Sequence, residues 1–416
     1  MPKYSIALFF LLIAFGFHQN LDAQIIDPDK KLAIDSTGPD AFKYYKSQKD
    51  LIDIVYWILH MNAEHRIDST GTKNTNIYVS VAPVVEYTIA TGFSPGIAGN
   101  IAFKTSAKEE TNTSSILGAV KYTTKQQFIL PIQSSIWTMG NKFNFLGDLR
   151  FLNYPQDTYG FGTLTTLSDK YIVDYKYLRF YEFVLKNIRK NLYAGIGYQL
   201  DYHWGIRELD LAPGRVTDFQ KYGFSQSSTS SGIAFQMVYD SRENAINPEG
   251  GKFYANLQFH QDSKLLGATN NWNSLLIDVR KYIKMPHHNI LALWCYSFFT
   301  LSGNPPYLDL TGTGTDNLNN TGRGYEQGRF IGKKMIDLEA EYRFGISKNG
   351  LIGAVIFANA ASVSELQSNQ FASIQPGVGM GLRIKFNKFS RTNACIDYGV
   401  GTRGSRGFVG NLGEVF

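Results

Sequence analysis

The sequence predicts an all-β protein: a transmembrane antiparallel β-barrel of about 16 strands behind a short helical N-terminal segment. Three observations carry that expectation. Segments in which apolar and polar residues alternate follow one another from residue 77 to residue 416. The connections between them are alternately short and long. Beyond the leader there is no apolar run of about 18 residues, the least that a spanning helix needs. Composition agrees, because 14% of the 416 residues are aromatic and 39 are Gly, while 18% are charged against roughly a quarter in soluble domains. Disordered, coiled-coil and disulfide-scaffold classes are thereby excluded, since two cysteines cannot staple so long a chain. The formal charge of +6 is small and no basic run carries interleaved aromatics, so no nucleic-acid partner is expected. The excess suits anionic head groups at a membrane surface.

Residues 1–23 read as a secretory signal peptide, with Lys3 as the positive start, residues 5–17 as the apolar stretch and Ala23 as the small residue before cleavage at Gln24. Residues 24–76 read as a short periplasmic or plug-like segment with one helix, capped by Ser47, in which Leu51, Ile54, Val55, Ile58 and Leu59 recur at helical spacing. Residues 77–416 read as the outer-membrane β-barrel domain. Its strand cores are expected at 77–89, 95–105, 114–124, 127–138, 142–153, 171–184, 191–203, 230–240, 252–262, 272–284, 289–301, 334–345, 351–361, 374–386, 392–401 and 407–416. The clearest is the twelfth, where Ile336, Leu338, Ala340, Tyr342 and Phe344 alternate with Asp337, Glu339, Glu341 and Arg343. A soluble sheet gives the same string with its faces inverted, so alternation alone does not choose. Strands of about 9 to 14 residues do choose, because a tilted membrane crossing takes about that many. An even count closes an antiparallel barrel. Phe416 would end the last strand on an aromatic, as bacterial outer-membrane barrels commonly do. Residues 139–141, 187–190, 244–251 and 387–391 read as short periplasmic turns, and 155–170, 207–228 and 303–333 as long external loops.

The longest loop carries the most informative stretch, Thr321-Gly322-Arg323-Gly324-Tyr325-Glu326-Gln327-Gly328-Arg329-Phe330. Earlier, Tyr239-Asp240-Ser241-Arg242-Glu243-Asn244 ends a strand and Asn247-Pro248-Glu249-Gly250-Gly251 forms the turn after it; Glu341 lies on the twelfth strand. In this order and spacing these stretches resemble three features of the BamA/TamA superfamily of outer-membrane barrels, the bacterial surface antigen family. Those features are an arginine-glycine-aromatic sixth loop, an Asp-x-Arg-Asp-Asn strand end with a Pro-x-x-Gly turn, and an inward glutamate on the twelfth strand. The resemblance implies that loop six folds back into the lumen through Gly322, Arg323, Gly324 and Tyr325, with Arg323 latched to Glu341. It marks Asp240, Arg242, Pro248 and Gly250 as the strand-end and turn residues. The physics is compatible, since a guanidinium gains most from a carboxylate that takes it bidentately in a partly dehydrated lumen.

Two departures shape the expectation. Asn359, in Phe357-Ala358-Asn359, stands where the family carries an aspartate, so the latch should be weaker by one charge. The residues before Ile77 are too few for even one POTRA module, so a barrel without POTRA domains, and without client docking by them, is expected. The resemblance implies insertion or translocation of proteins across a weak seam between first and last strands, with outer-membrane lipids and client outer-membrane proteins as partners. Gly399, Gly401, Gly404, Gly407, Gly410 and Gly413 would thin that seam. The rival is a passive pore or lipid-handling barrel without insertase activity, in which loop six only restricts the lumen.

No catalytic residue, metal site or cofactor is expected. The histidines at 18, 60, 65, 203, 260, 287 and 288 lack ligand spacing; His287-His288 falls at a turn and His260 should face the lumen. Asp309 and Asp316 lack a calcium-loop pattern. Cys295 and Cys395 fall on strands too far apart to pair.

Overall fold

The computed structural model describes residues 48–58, 60, 77–106, 111–317, 319–388 and 390–416. The expected signal peptide, Ser47, Leu59 and most of the segment before residue 77 lie outside the described residues. Sixteen long strands follow: β1 (Ile77–Thr88), β2 (Gly92–Phe103), β3 (Ser114–Tyr122), β4 (Phe128–Trp137), β5 (Phe143–Asn153), β6 (Tyr171–Arg189), β7 (Leu192–Leu209) and β8 (Ser227–Asp240), then β9 (Phe253–Asp262), β10 (Trp272–Lys284), β11 (Ile290–Gly303), β12 (Lys334–Gly345), β13 (Ile352–Val363), β14 (Gln375–Asn387), β15 (Thr392–Gly401) and β16 (Arg406–Leu412). Each pairs antiparallel with the next. β16 returns beside β1, which nearly closes the barrel.

The two faces settle what alternation left open. Side chains toward the lumen are polar and buried, among them Asn100, Gln199, Asp201, Asp278 and Arg280. Those on the outer wall are apolar and open, with Ile97 61% and Met380 67% exposed. A soluble sheet buries the opposite face, so this wall is built to be dissolved in lipid. No helix among the described residues is long and apolar enough to cross a membrane; the strands make the crossing.

The expected boundaries of β6, β7 and the last strand change most. β6 and β7 run on to Arg189 and Leu209, because their turn is tight, with Asn191 at φ 63, and their outer halves carry Tyr171, Val173 and Ile206 into a buried cluster beneath the external loops. The last strand does not reach Phe416: it stops at Leu412, and Gly413, at φ 87, turns the chain into the lumen. The expected terminal aromatic of the wall is therefore a lumen residue, with Phe416 2% exposed and its ring centroid 5.1 Å from that of Trp294.

Both mouths are covered. At the outer end Phe161, Phe219, Tyr307 and Leu310 from three loops pack on Tyr171 and Tyr154. At the periplasmic end the turn after β8 reaches across, Asn244 Nδ2 donating to the Ser390 carbonyl and Asn247 Nδ2 to that of Arg391, both at 2.9 Å. The entry helix α1 (Leu51–Ile58) is capped by Asp50, whose Oδ1 accepts from the Asp53 N–H at 2.8 Å while the Asp53 carboxylate accepts from the Asp50 N–H. The same two carboxylates hold it to the rim through the backbone N–H and ammonium of Lys388, at 2.8 and 2.9 Å.

Candidate functional site

Loop six, residues 304–333, enters the lumen on a short hairpin in which Thr311–Gly312 pairs with Ile331–Gly332. Its tip turns at Gly322 (φ 70) and Gly324 (φ 96), conformations that favour glycine. Between them Arg323, 3% exposed, lies against the inner faces of β12, β13 and β15. Its Nη1 is 2.6 Å from Glu341 and 2.8 Å from Asp397, its Nη2 contacts Glu339, and its Cζ stands 3.8 Å from the centre of the Phe357 ring. Strand alternation explains why Glu339 and Glu341, two apart on β12, both point inward.

The charge deficit expected from Asn359 is not what the geometry gives. The Asn359 amide donates to the backbone carbonyl of Arg323 at 2.8 Å, not to the guanidinium, and Glu339 and Asp397 supply carboxylates beside Glu341. The network continues outward from there. Arg343 lies 2.6 Å from Glu341, and Arg383 bridges Asp397 and Glu414, the latter at 2.7 Å. Glu414 belongs to the inturned tail, whose Phe416 carbonyl accepts from Arg343 at 2.8 Å and whose Val415 carbonyl accepts from Asn320 of loop six at 2.8 Å. Loop, wall and tail thus share one buried set of three guanidiniums and four carboxylates.

Tyr325 completes the loop's anchorage by donating to the Pro376 carbonyl at 2.6 Å and accepting from the Thr402 N–H at 2.9 Å. Room for it comes from glycine: a Cβ on Gly399 would lie 2.7 Å from the Gly324 Cα, and one on Gly401 would strike the Tyr325 ring. These two glycines of β15 admit loop six, a different role from the thinning of the seam expected of them. Arg329 ties loop six to the 155–170 loop through the Thr165 hydroxyl and carbonyl, both at 2.8 Å. Asp240 pairs with Arg242 at 2.8 Å, and that guanidinium stands 4.2 Å from the Tyr254 ring centre. Pro248 and Gly250 lie in the turn across the periplasmic mouth, where Gly250 backs closely on Lys284.

Sequence reasoning missed Glu339, Asp397, Arg343, Arg383 and Glu414 as members of the network. For Glu339 the signal was present, since it shares Glu341's face. Asp397 lies 74 positions from Arg323 and Glu414 lies 31 positions from Arg383, in no motif that would single them out.

The upper lumen holds a second polar group. His203 Nδ1 is 3.6 Å from Asp309, and His260 Nδ1 is 3.3 Å from Asp262. The Ser230 hydroxyl donates to Asp309 at 2.6 Å, so the serine meets a carboxylate and not an imidazole. Burial, followed by the Asp201 carboxylate, pushes the Asp309 carboxyl well above the usual range. Among the described residues no group of three His, Cys, Asp or Glu has the geometry to hold a metal ion. Cys295 and Cys395 are both free thiols.

The seam completes the site. β15 and β16 pair fully, and so do β1 and β2, but among the described residues no ladder joins β16 to β1. At the outer end Gly407 lies against Ile89. On the antiparallel course this sets, β16 reaches Val84 and the inturned tail leaves the rest of β1 paired with β2 alone, without a partner on its β16 side. Exposure within the lumen-side row follows that division: Val84 is 3% exposed, whereas Tyr78 is 57%. Pro83 interrupts this edge with a residue that cannot donate to a ladder.

Comparison with known proteins agrees with this architecture. Among solved structures, BamA from Haemophilus ducreyi lacking POTRA domains 1–3 is 14% identical over 82% of this chain and 71% of that one, with a TM-score of 0.55. CdiB from Acinetobacter baumannii is 11% identical over 82% of this chain and 60% of its own, with a TM-score of 0.52. CdiB from Escherichia coli is 7% identical, over 82% and 63%, with the same score. This chain thus spans less than two thirds of either CdiB. No curated protein matches it. The apolar outer wall of the barrel and the family match over residues 187–402 point to the outer membrane of a bacterium. The Omp85 superfamily domain matches residues 187–402, more than half of the sequence, and the chain belongs to the Omp85 superfamily.

Proposed function

We propose that the barrel acts on other outer-membrane proteins, assisting their insertion or translocation, and that it does so at the seam between β16 and β1. The observation that carries this reading is the bare lower half of β1. Among the described residues no ladder joins its seam-side N–H and C=O groups to β16, and an unsatisfied backbone group in hydrocarbon costs several kcal/mol, roughly. A client strand that adds to such an edge satisfies both partners at once. Arg323, Glu341 and their neighbours hold loop six and the tail in place while this edge is used.

The seam can be locked to test this. A Cβ on Gly407 would lie 3.8 Å from the Ile89 Cβ, the spacing a disulfide needs. Ile89→Cys with Gly407→Cys, in a Cys295→Ser background, should therefore cross-link on oxidation. In cells that depend on the protein, oxidation should lower the amount of other folded outer-membrane barrels, and reductant should restore it. Unchanged amounts, after the lock or after depletion of the protein, would sink the reading. The passive-pore alternative makes a different prediction, a steady conductance in planar bilayers that the seam disulfide leaves untouched. Loop six, the tail and the 241–251 turn all lie across the path such a pore would need.

A further inference from the structure

The outer wall around β10 combines short side chains with one lysine. Asp278, Arg280 and Tyr282 are buried toward the lumen, so Ile277, Val279 and Lys281 face outward. The register sets Val279 beside Ala255 on one side and Cys295 on the other, and Lys281 beside Phe253 and Leu293. Further along those rows stand Leu338 and Ala360, then Ala340 and Ala358. With so many short side chains in adjacent rows the wall is hollowed twice. One furrow of about 460 Å³ has Cys295, Ala340, Ala358 and Ala360 among its lining residues. A second, of about 110 Å³, runs over Ala255 between Met237, Tyr239 and Leu257. Val279 borders both.

Lys281 lies one outward position beyond Val279, toward the end of the strand that enters the short 285–289 turn and hence the periplasm. Among the described residues its ammonium meets no carboxylate, and it stands 5.7 Å from the centre of the Phe253 ring. A lysine on a lipid-facing wall is costly unless its ammonium reaches the head-group layer. We propose that the two furrows and Lys281 form a binding site for one diacyl phospholipid of the periplasmic leaflet. Its acyl chains lie on either side of Val279, and its anionic head group rests on the Lys281 ammonium. Tails already in a bilayer gain no hydrophobic energy by entering a furrow, so retention comes from van der Waals fit and selection from the charge. The site is independent of whether the seam handles clients.

Native mass spectrometry of the full chain, extracted from vesicles of phosphatidylethanolamine with a minor share of phosphatidylglycerol, tests this directly. The wild type should retain one phospholipid, with phosphatidylglycerol enriched about fivefold, the effect of one cation near the membrane surface. Lys281→Gln should keep a bound lipid and lose the enrichment. Ala358→Leu, which fills the larger furrow from the lipid side, should lose the bound lipid of either kind. Heat-modifiable gel migration confirms that both variants are folded. A wild type that retains no lipid, a Lys281→Gln variant with undiminished enrichment, or an Ala358→Leu variant with undiminished retention would each overturn the site.

Discussion

Two regions of this barrel, separated by a single strand, are held together in opposite ways. Along β12 to β15 every backbone ladder is made, and buried ion pairs bind loop six and the tail to the inner wall as well. Between β16 and β1, among the described residues, the ladder is missing and the lower half of β1 has no partner on that side. The difference teaches where strength is needed. On the proposed function, a barrel that opens along one line cannot rely on a uniform ring of hydrogen bonds, and its lumen side chains hold the neighbouring strands. If so, loosening the network should unsettle the lumen strongly and the seam only indirectly.

The largest way to break this comparison is Arg323→Ala. It leaves Glu339, Glu341 and Asp397 buried around a missing cation, and removing one partner of a buried pair costs about 3 to 5 kcal/mol. The folded, heat-modifiable form should melt at a clearly lower temperature, and conductance should rise as loop six leaves the lumen. Arg323→Lys keeps the charge without the fork and should fall between. A variant that melts like the wild type would mean that loop six is held by its hairpin and Tyr325 alone.

Gly399→Leu ranks next. An added Cβ would lie 2.7 Å from the Gly324 Cα, so the side chain must push the loop tip off β15. Overpacking of this kind costs about 1 to 3 kcal/mol. The expected result is a partial loss of thermal stability with a conductance increase smaller than for Arg323→Ala. A loss of stability without any conductance change would place the damage in the strand and not in the loop.

How much of this was legible beforehand follows from the range of each interaction. Sixteen strands could be read because alternation is local and continuous, and the sixteen cores fall on the sixteen long strands. Glu341 could be placed opposite Arg323 only through family resemblance, since nothing within the loop itself indicates which wall it meets. Asp397 and Glu414 were beyond reach: each becomes a partner only once the barrel closes and the tail turns inward. The tail was misread for a related reason. Phe408, Gly410 and Leu412 continue the pattern of a strand toward Phe416, and the one local sign of a turn, Gly413, stands in a stretch already rich in glycine.

That glycine provides the smallest and sharpest test. At φ 87 an alanine in place of Gly413 costs about 1 to 2 kcal/mol, and its Cβ would lie 2.6 Å from Ile246 Cγ2. Against this stand the Glu414–Arg383 pair and the buried Val415 and Phe416 side chains, which together outweigh a strained turn. Gly413→Ala should therefore keep its tail in the lumen and lower the melting temperature by a few degrees, roughly, for a change of this size. Amide hydrogen exchange across residues 77–81 should stay as fast as in the wild type. If instead those amides became protected, residues 413–416 would have straightened beside the bare half of β1. Tail and seam would then be two positions of one strand, and the line between the strongly held region and the open one would move with it.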